Sequence, residues 1–147
     1  MLKKMITILL SLLCFLTEAM EGKPLENIEV FDINQQTVVK IVPNDYEIQK
    51  LVQNYIQGID GVYSKFNPIP EKGYAVKIPL APAVKVDNKE IKVPIEQVIL
   101  MCPENERPFL MLMQDENKLS CFTFKGSSLV LLESIGYEPS CKITDIV

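Results

Sequence analysis

One stretch of this chain repeats its apolar positions at helical spacing, while the remainder alternates or runs continuously in the manner of strands. Within Asp45–Ile59, residues Ile48, Leu51, Val52, Tyr55, Ile56 and Ile59 fall at i, i+3, i+4, i+7, i+8 and i+11, which draws one apolar stripe along a helix. Asn44 stands where an N-cap belongs, and Gly58 and Gly61 supply a stop. A helix with a single apolar side needs a sheet to cover, so the question becomes whether the other segments supply strands.

They do. Ile28–Ile33 and Gln36–Val42 are β-rich runs parted by Asn34 and Gln35, the signature of a hairpin. Strand alternation puts Thr37, Val39 and Ile41 on one face and Lys40 on the other. Val62–Lys72 reads as a proline-bearing loop. Tyr74, Val76, Ile78 and Leu80 alternate with smaller or polar residues, the cleanest half-buried strand in the sequence. Val84 and Val86 then oppose Ile91 and Val93 across Asp87–Glu90, a second expected hairpin. Pro79, Pro82 and Pro94 place this region at an edge or a bend, because proline cannot donate to a ladder. Val98–Met101 and Phe109–Met113 are continuous apolar runs, as central strands covered on both faces are. Leu119–Phe124 and Leu129–Glu133 complete a meander. The expectation is an α+β fold: a β-hairpin, one amphipathic helix and a β-meander, forming a two-layer antiparallel sheet.

The first nineteen residues stand apart. Lys3 and Lys4 precede the apolar run Met5–Leu16, and Thr17 and Ala19 sit at −3 and −1 of a cleavage site. This is a secretory signal pattern, and the run falls short of the ~20 apolar residues that span a bilayer. The expected organisation is a signal peptide over 1–19 and one domain over 20–147, secreted or held in the cell envelope, with the membrane met only through an uncleaved leader.

Composition narrows the chemistry. The chain of 147 residues carries 15 basic and 19 acidic residues, a net charge of −4, and contains no His. The acidic balance disfavours nucleic acid. The absence of His removes the commonest general base and metal ligand together, so no cofactor or metal is expected. Cleavage leaves Cys102, Cys121 and Cys141. They read either as small buried hydrophobes or, for Cys102 and Cys121, as a cross-strand bridge. No CxxC spacing or N-x-S/T sequon occurs.

Three features can carry function. The loop Phe66–Tyr74 offers Phe66, Ile69 and Tyr74 as contacts beside Asn67, with Pro68 and Pro70 fixing its backbone. Lys77, Lys85 and Lys92 are expected on one outer sheet face as a basic strip for an anionic polymer of the envelope. Glu104, Glu106, Asp115 and Glu116 lie in two turns flanking one strand, which leaves open a carboxylate pair or a Ca²⁺ site. Against each stands a plainer reading as a joining loop, a solvated face and charged turns.

The short LKK leader, the Lys- and Ile-rich composition and the segments NPIPEKGYAVKIPL and RPFLMLMQDENKLSCFTFKG resemble small exported proteins of low-GC, spore-forming Gram-positive bacteria. The resemblance implies export and brings no catalytic residue. The expected function is non-enzymatic: surface-mediated binding of a protein or an anionic envelope polymer, with Phe66–Tyr74 and the neighbouring lysines as the contact. The alternatives are a structural, self-assembling envelope component, or a hydrolase built on Asp115, Glu116 or Glu133.

Overall fold

A computed structural model describes residues 24–65, 67–115 and 118–140. The leader expected over 1–19 lies outside them, as do Phe66, Glu116 and Cys141. The elements follow in the order β1 (Ile28–Asp32), β2 (Thr37–Val42), α1 (Tyr46–Gln57), β3 (Ile59–Val62), β4 (Gly73–Val84), β5 (Ile95–Pro103), β6 (Phe109–Asp115), β7 (Lys118–Phe124) and α2 (Ser128–Ser134). The strands make one open antiparallel sheet of order β2-β1-β4-β5-β6-β7-β3, with β2 and β3 at its edges. The fold is α+β.

The first hairpin turns on Asp32. Its buried carboxylate accepts the Gln35 backbone N–H and the Gln35 side-chain amide, both at 3.1 Å, which satisfies an otherwise costly charge. Pairing runs Lys40 with Val30, then Val38 with Phe31, so Val39 is an extra residue bulged out of β2. The bulge shifts the alternation, and the expected common face for Thr37, Val39 and Ile41 does not form.

Asp45, not Asn44, caps α1: its side chain accepts the Ile48 N–H at 2.9 Å. Asn44 is engaged elsewhere, donating to the Pro79 carbonyl at 2.9 Å. The stripe behaves as its spacing predicts, with Ile48, Val52, Tyr55 and Ile56 buried. Ile59 has left the helix and belongs to β3. This short edge strand occupies the segment expected only as a helix stop, reaches the first residue of the expected loop, and pairs with β7.

Leu129–Glu133 is the main departure. The segment is helical within α2, with Ser127 as its N-cap. Leu131, Leu132 and Ile135 are buried while Leu129 and Val130 are exposed. The run is contiguous and apolar, which alone suits a strand or a helix. Buried Ser128, Leu131, Leu132 and Ile135 at helical spacing, started by a Ser cap, decide for the helix. The expected hairpin around Asp87–Glu90 reduces to a single bridge between Asn88 and Ile91. The edge or bend expected near Pro79 and Pro82 is present. β4 lies between β1 and β5, but its pairing with β1 ends at Lys77, which leaves the proline-bearing part without a paired strand on that side among the described residues. The prolines also mark a break in the ladder with β5, where pairing jumps from Pro79–Gln97 to Val84–Ile95.

Both helices cover one face of the sheet. There Ile48, Val52, Ile56 and Leu131 join Ile28, Val30, Val76, Ile78, Leu100, Leu110, Phe122 and Phe124 in one core. The opposite, outer face carries a smaller cluster of Met101, Phe109, Met111 and Cys121. Alternate residues of β5 and β6 therefore serve two apolar layers, which explains their uninterrupted hydrophobicity.

Candidate functional site

At one end of the sheet, the connection from β3 to β4 packs against the turn between β5 and β6. Tyr63 leaves β3 with its N–H on the Cys121 carbonyl at 2.9 Å, and its ring stacks on Phe109 with centroids 3.9 Å apart and planes 9° from parallel. Glu106, in the β5–β6 turn, accepts the Lys65 ammonium at 2.5 Å and the Tyr63 hydroxyl at 3.4 Å. At the far end of the connection, Glu104 N–H donates to the Lys72 carbonyl at 3.1 Å. Gly73 N–H donates to Asn34 Oδ1, also at 3.1 Å. The loop is tied at both ends.

These ties set the local electrostatics. Burial pushes the Tyr63 phenol above its ordinary 10.0, with Lys65 pulling the other way. The hydrogen bond to Glu106 holds the Lys65 ammonium above its ordinary 10.5. Arg107 is oriented by the Phe124 carbonyl at 3.0 Å and lies 3.9 Å from Asp60. A shallow groove of about 350 Å³ remains between the two segments, lined by Pro70, Glu71, Lys72, Pro103, Glu104, Asn105 and Glu106.

The expected contact residues divide between surface and core. Ile69 is 61% exposed between Pro68 and Pro70, and Asn67 Oδ1 accepts its N–H at 3.3 Å. Phe66 lies outside the described residues. Tyr74 corrects the expectation: it is 2% exposed, begins the ladder of β4, and shares a hydrogen bond with Ser140 Oγ at 2.8 Å. Tyr74 belongs to the core, and no partner can reach its ring.

The three lysines do not form one strip, because only Lys77 lies on a strand. It faces outward beside Glu29, 3.7 Å away. Lys85 follows the end of β4, and Lys92 sits in the loop leading to β5. Lys85 borders a second concavity that sequence reading missed. Its wall is the outward row Tyr46, Gln49, Lys50 and Gln53 of α1, and its floor is formed by Ala81–Val84 with Leu25. The signal for it lay in the helix: Tyr46, Gln49, Lys50 and Gln53 repeat at i, i+3, i+4 and i+7 on the side opposite the core stripe.

Among the described residues, no group of three His, Cys, Asp or Glu side chains gathers to hold a metal ion. Glu133 is exposed on α2, and the backbone of Asp115 faces that of Lys118 in the β6–β7 ladder. Of the two readings of Cys102 and Cys121, small buried hydrophobes or a cross-strand bridge, the structure has the first: both thiols are free and buried. Cys102 lies in the helix-covered core and Cys121 in the outer-face cluster, on strands separated by β6. No described helix is long and apolar enough to cross a membrane. Compared with family models, curated proteins and solved structures, the chain matches none.

Proposed function

We propose that this chain is an exported, non-catalytic binding module whose contact surface is the rim loop between Tyr63 and Gly73. The observation that carries the reading is Ile69, a large aliphatic side chain 61% exposed between two prolines, on a loop anchored at both ends. Such a loop loses little conformational entropy when it meets a partner, where ordering a mobile side chain costs about 0.5–1.5 kcal/mol. The leader pattern of residues 1–19 supports delivery outside the cytoplasm.

Capture of envelope material by the immobilised domain tests this, with Ile69→Asp and Pro68→Ala/Pro70→Ala variants alongside the parent. Loss of capture with an unchanged thermal melt is expected. Equal capture by parent and variants would overturn the assignment of the rim.

A second reading, self-assembly through a sheet edge, draws support from β2, where Val38 and Ile41 are 43% and 62% exposed. The bulge at Val39 opposes it, because it distorts the edge that a second copy must pair with. Light scattering across a hundredfold concentration range separates the two readings. A constant monomer mass is the outcome expected for a module that binds through its rim.

A further inference from the structure

We infer that the groove between α1 and the end of β4 is a second binding site, selective for an extended acidic peptide with apolar side chains. It lies at the opposite end of β4 from the rim loop, and a strand of that length spans roughly 35 Å. The cavity measures about 490 Å³. Lys50 and Lys85 line it, no carboxylate does, and neither lysine pairs with an acidic side chain among the described residues. On a chain of net charge −4, the two lysines make this concavity locally cationic, while the adjoining hollow that shares Leu25, Ala81, Pro82 and Ala83 carries Glu26 and Glu96. Charge complementarity favours a ligand whose acidic groups lie on the Lys50 and Lys85 side.

The remaining lining specifies more than charge. Ala81, Pro82, Ala83, Val84 and Leu25 give an apolar floor, which a hydrophilic polyanion has no use for and which alternate side chains of an extended peptide can cover. Tyr46 stands at the wall 72% exposed, an aromatic face of the kind that anchors interfaces. The site is also preformed. Gln49 donates to the Pro79 carbonyl at 2.7 Å and to Asn44 Oδ1 at 2.8 Å, and accepts the Ala81 N–H at 3.1 Å. That clamp locks α1 onto β4, with Lys50, Gln53 and Lys85 among the residues that line the groove. Acidic side chains reach the lysines while apolar neighbours settle on the floor.

Selection from a random twelve-residue peptide library displayed on phage, using the whole domain as bait, tests the site. Enrichment of Asp and Glu interleaved with apolar residues is expected. Synthetic copies of the selected peptides should bind at least tenfold more weakly to Lys50→Glu/Lys85→Glu and to Tyr46→Ala. They should bind Ile69→Asp as they bind the parent, which separates this site from the rim. All substituted side chains are exposed, and thermal melts verify that the variants fold. Selection without acidic enrichment, equal binding by the charge-reversed variant, or displacement of the peptides by polygalacturonate at equal charge concentration would each overturn the inference.

Discussion

The Tyr55 hydroxyl donates to the Ser127 carbonyl at 2.6 Å, joining the last turn of α1 to the residue that caps α2. The same ring lies 5.0 Å from Phe124. Gly126 is packed beneath it so closely that a Cβ there would come within 2.7 Å of the tyrosine ring. One side chain thus fixes how the two helices and the end of β7 meet. Tyr55→Phe keeps the ring and leaves the Ser127 carbonyl without that donor, an expected loss of about 1–2 kcal/mol in urea unfolding. Tyr55→Ala also removes the ring, with an expected loss of about 3–5 kcal/mol.

The apolar stripe of α1 predicts graded effects of charge. Ile56 is 0% exposed, so Ile56→Asp buries an unpaired carboxylate and should abolish the cooperative melt. Leu51 is only half-buried at the margin of the same core. Leu51→Asp should retain a cooperative transition at reduced midpoint. Circular dichroism melts of the two variants check the order; equal effects would mean that the helix sits differently on the sheet.

The fold was legible where one element hides one kind of face. The i, i+3, i+4 stripe of α1 and the double-sided hydrophobicity of β5 and β6 each state their burial in the sequence. Leu129–Glu133 was misread because a short run of contiguous apolar residues has no visible period, and the information lay in Ser127 and Ile135 outside it. β3 was hidden because its four residues include Asp60 and Gly61, both poor strand formers, and it owes its existence to pairing with β7. The rim loop was visible as a stiff, apolar segment. The burial of Tyr74 was visible as well, in its alternation with Val76, Ile78 and Leu80; assigning its ring to the loop surface overlooked that the strand begins at Gly73. The α1–β4 groove joins residues more than thirty positions apart, a relationship that only the packing creates.

That junction at Gly73 is a narrow point. Its φ is +127°, and a Cβ at this position would lie 2.2 Å from the Cys102 carbonyl oxygen. The backbone and the neighbouring strand both reject a side chain. Gly73→Ala should therefore cost at least about 3 kcal/mol, more than the ~1 kcal/mol of a typical substitution. It should also loosen the rim, because the Asn34 and Ile33 hydrogen bonds pass through Gly73. Chemical denaturation gives the first effect, and faster amide exchange across Asn67–Lys72 gives the second.

The cysteines give a prediction in pH. Burial raises the Cys121 thiol above its ordinary 9.0, because the thiolate is disfavoured in the outer-face cluster. Below pH 9.0 the thiol is neutral in both folded and unfolded chains, so its protonation leaves stability unchanged. As pH climbs past that value, the unfolded chain releases the proton first, and stability should fall until the folded thiol also ionises. Iodoacetamide at pH 8 should leave Cys102 and Cys121 unmodified in the native protein, since both side chains are buried and only the thiolate reacts quickly. In 6 M guanidinium both should alkylate completely. Mass spectrometry of the labelled peptides checks this. Rapid native labelling of Cys121 would mean that the Met101–Met111 cluster opens readily to solvent, and Cys121→Ser, which places a hydroxyl there, should then cost little stability. With the cluster closed, that substitution should lower the unfolding midpoint, and Cys121→Ala should lower it less.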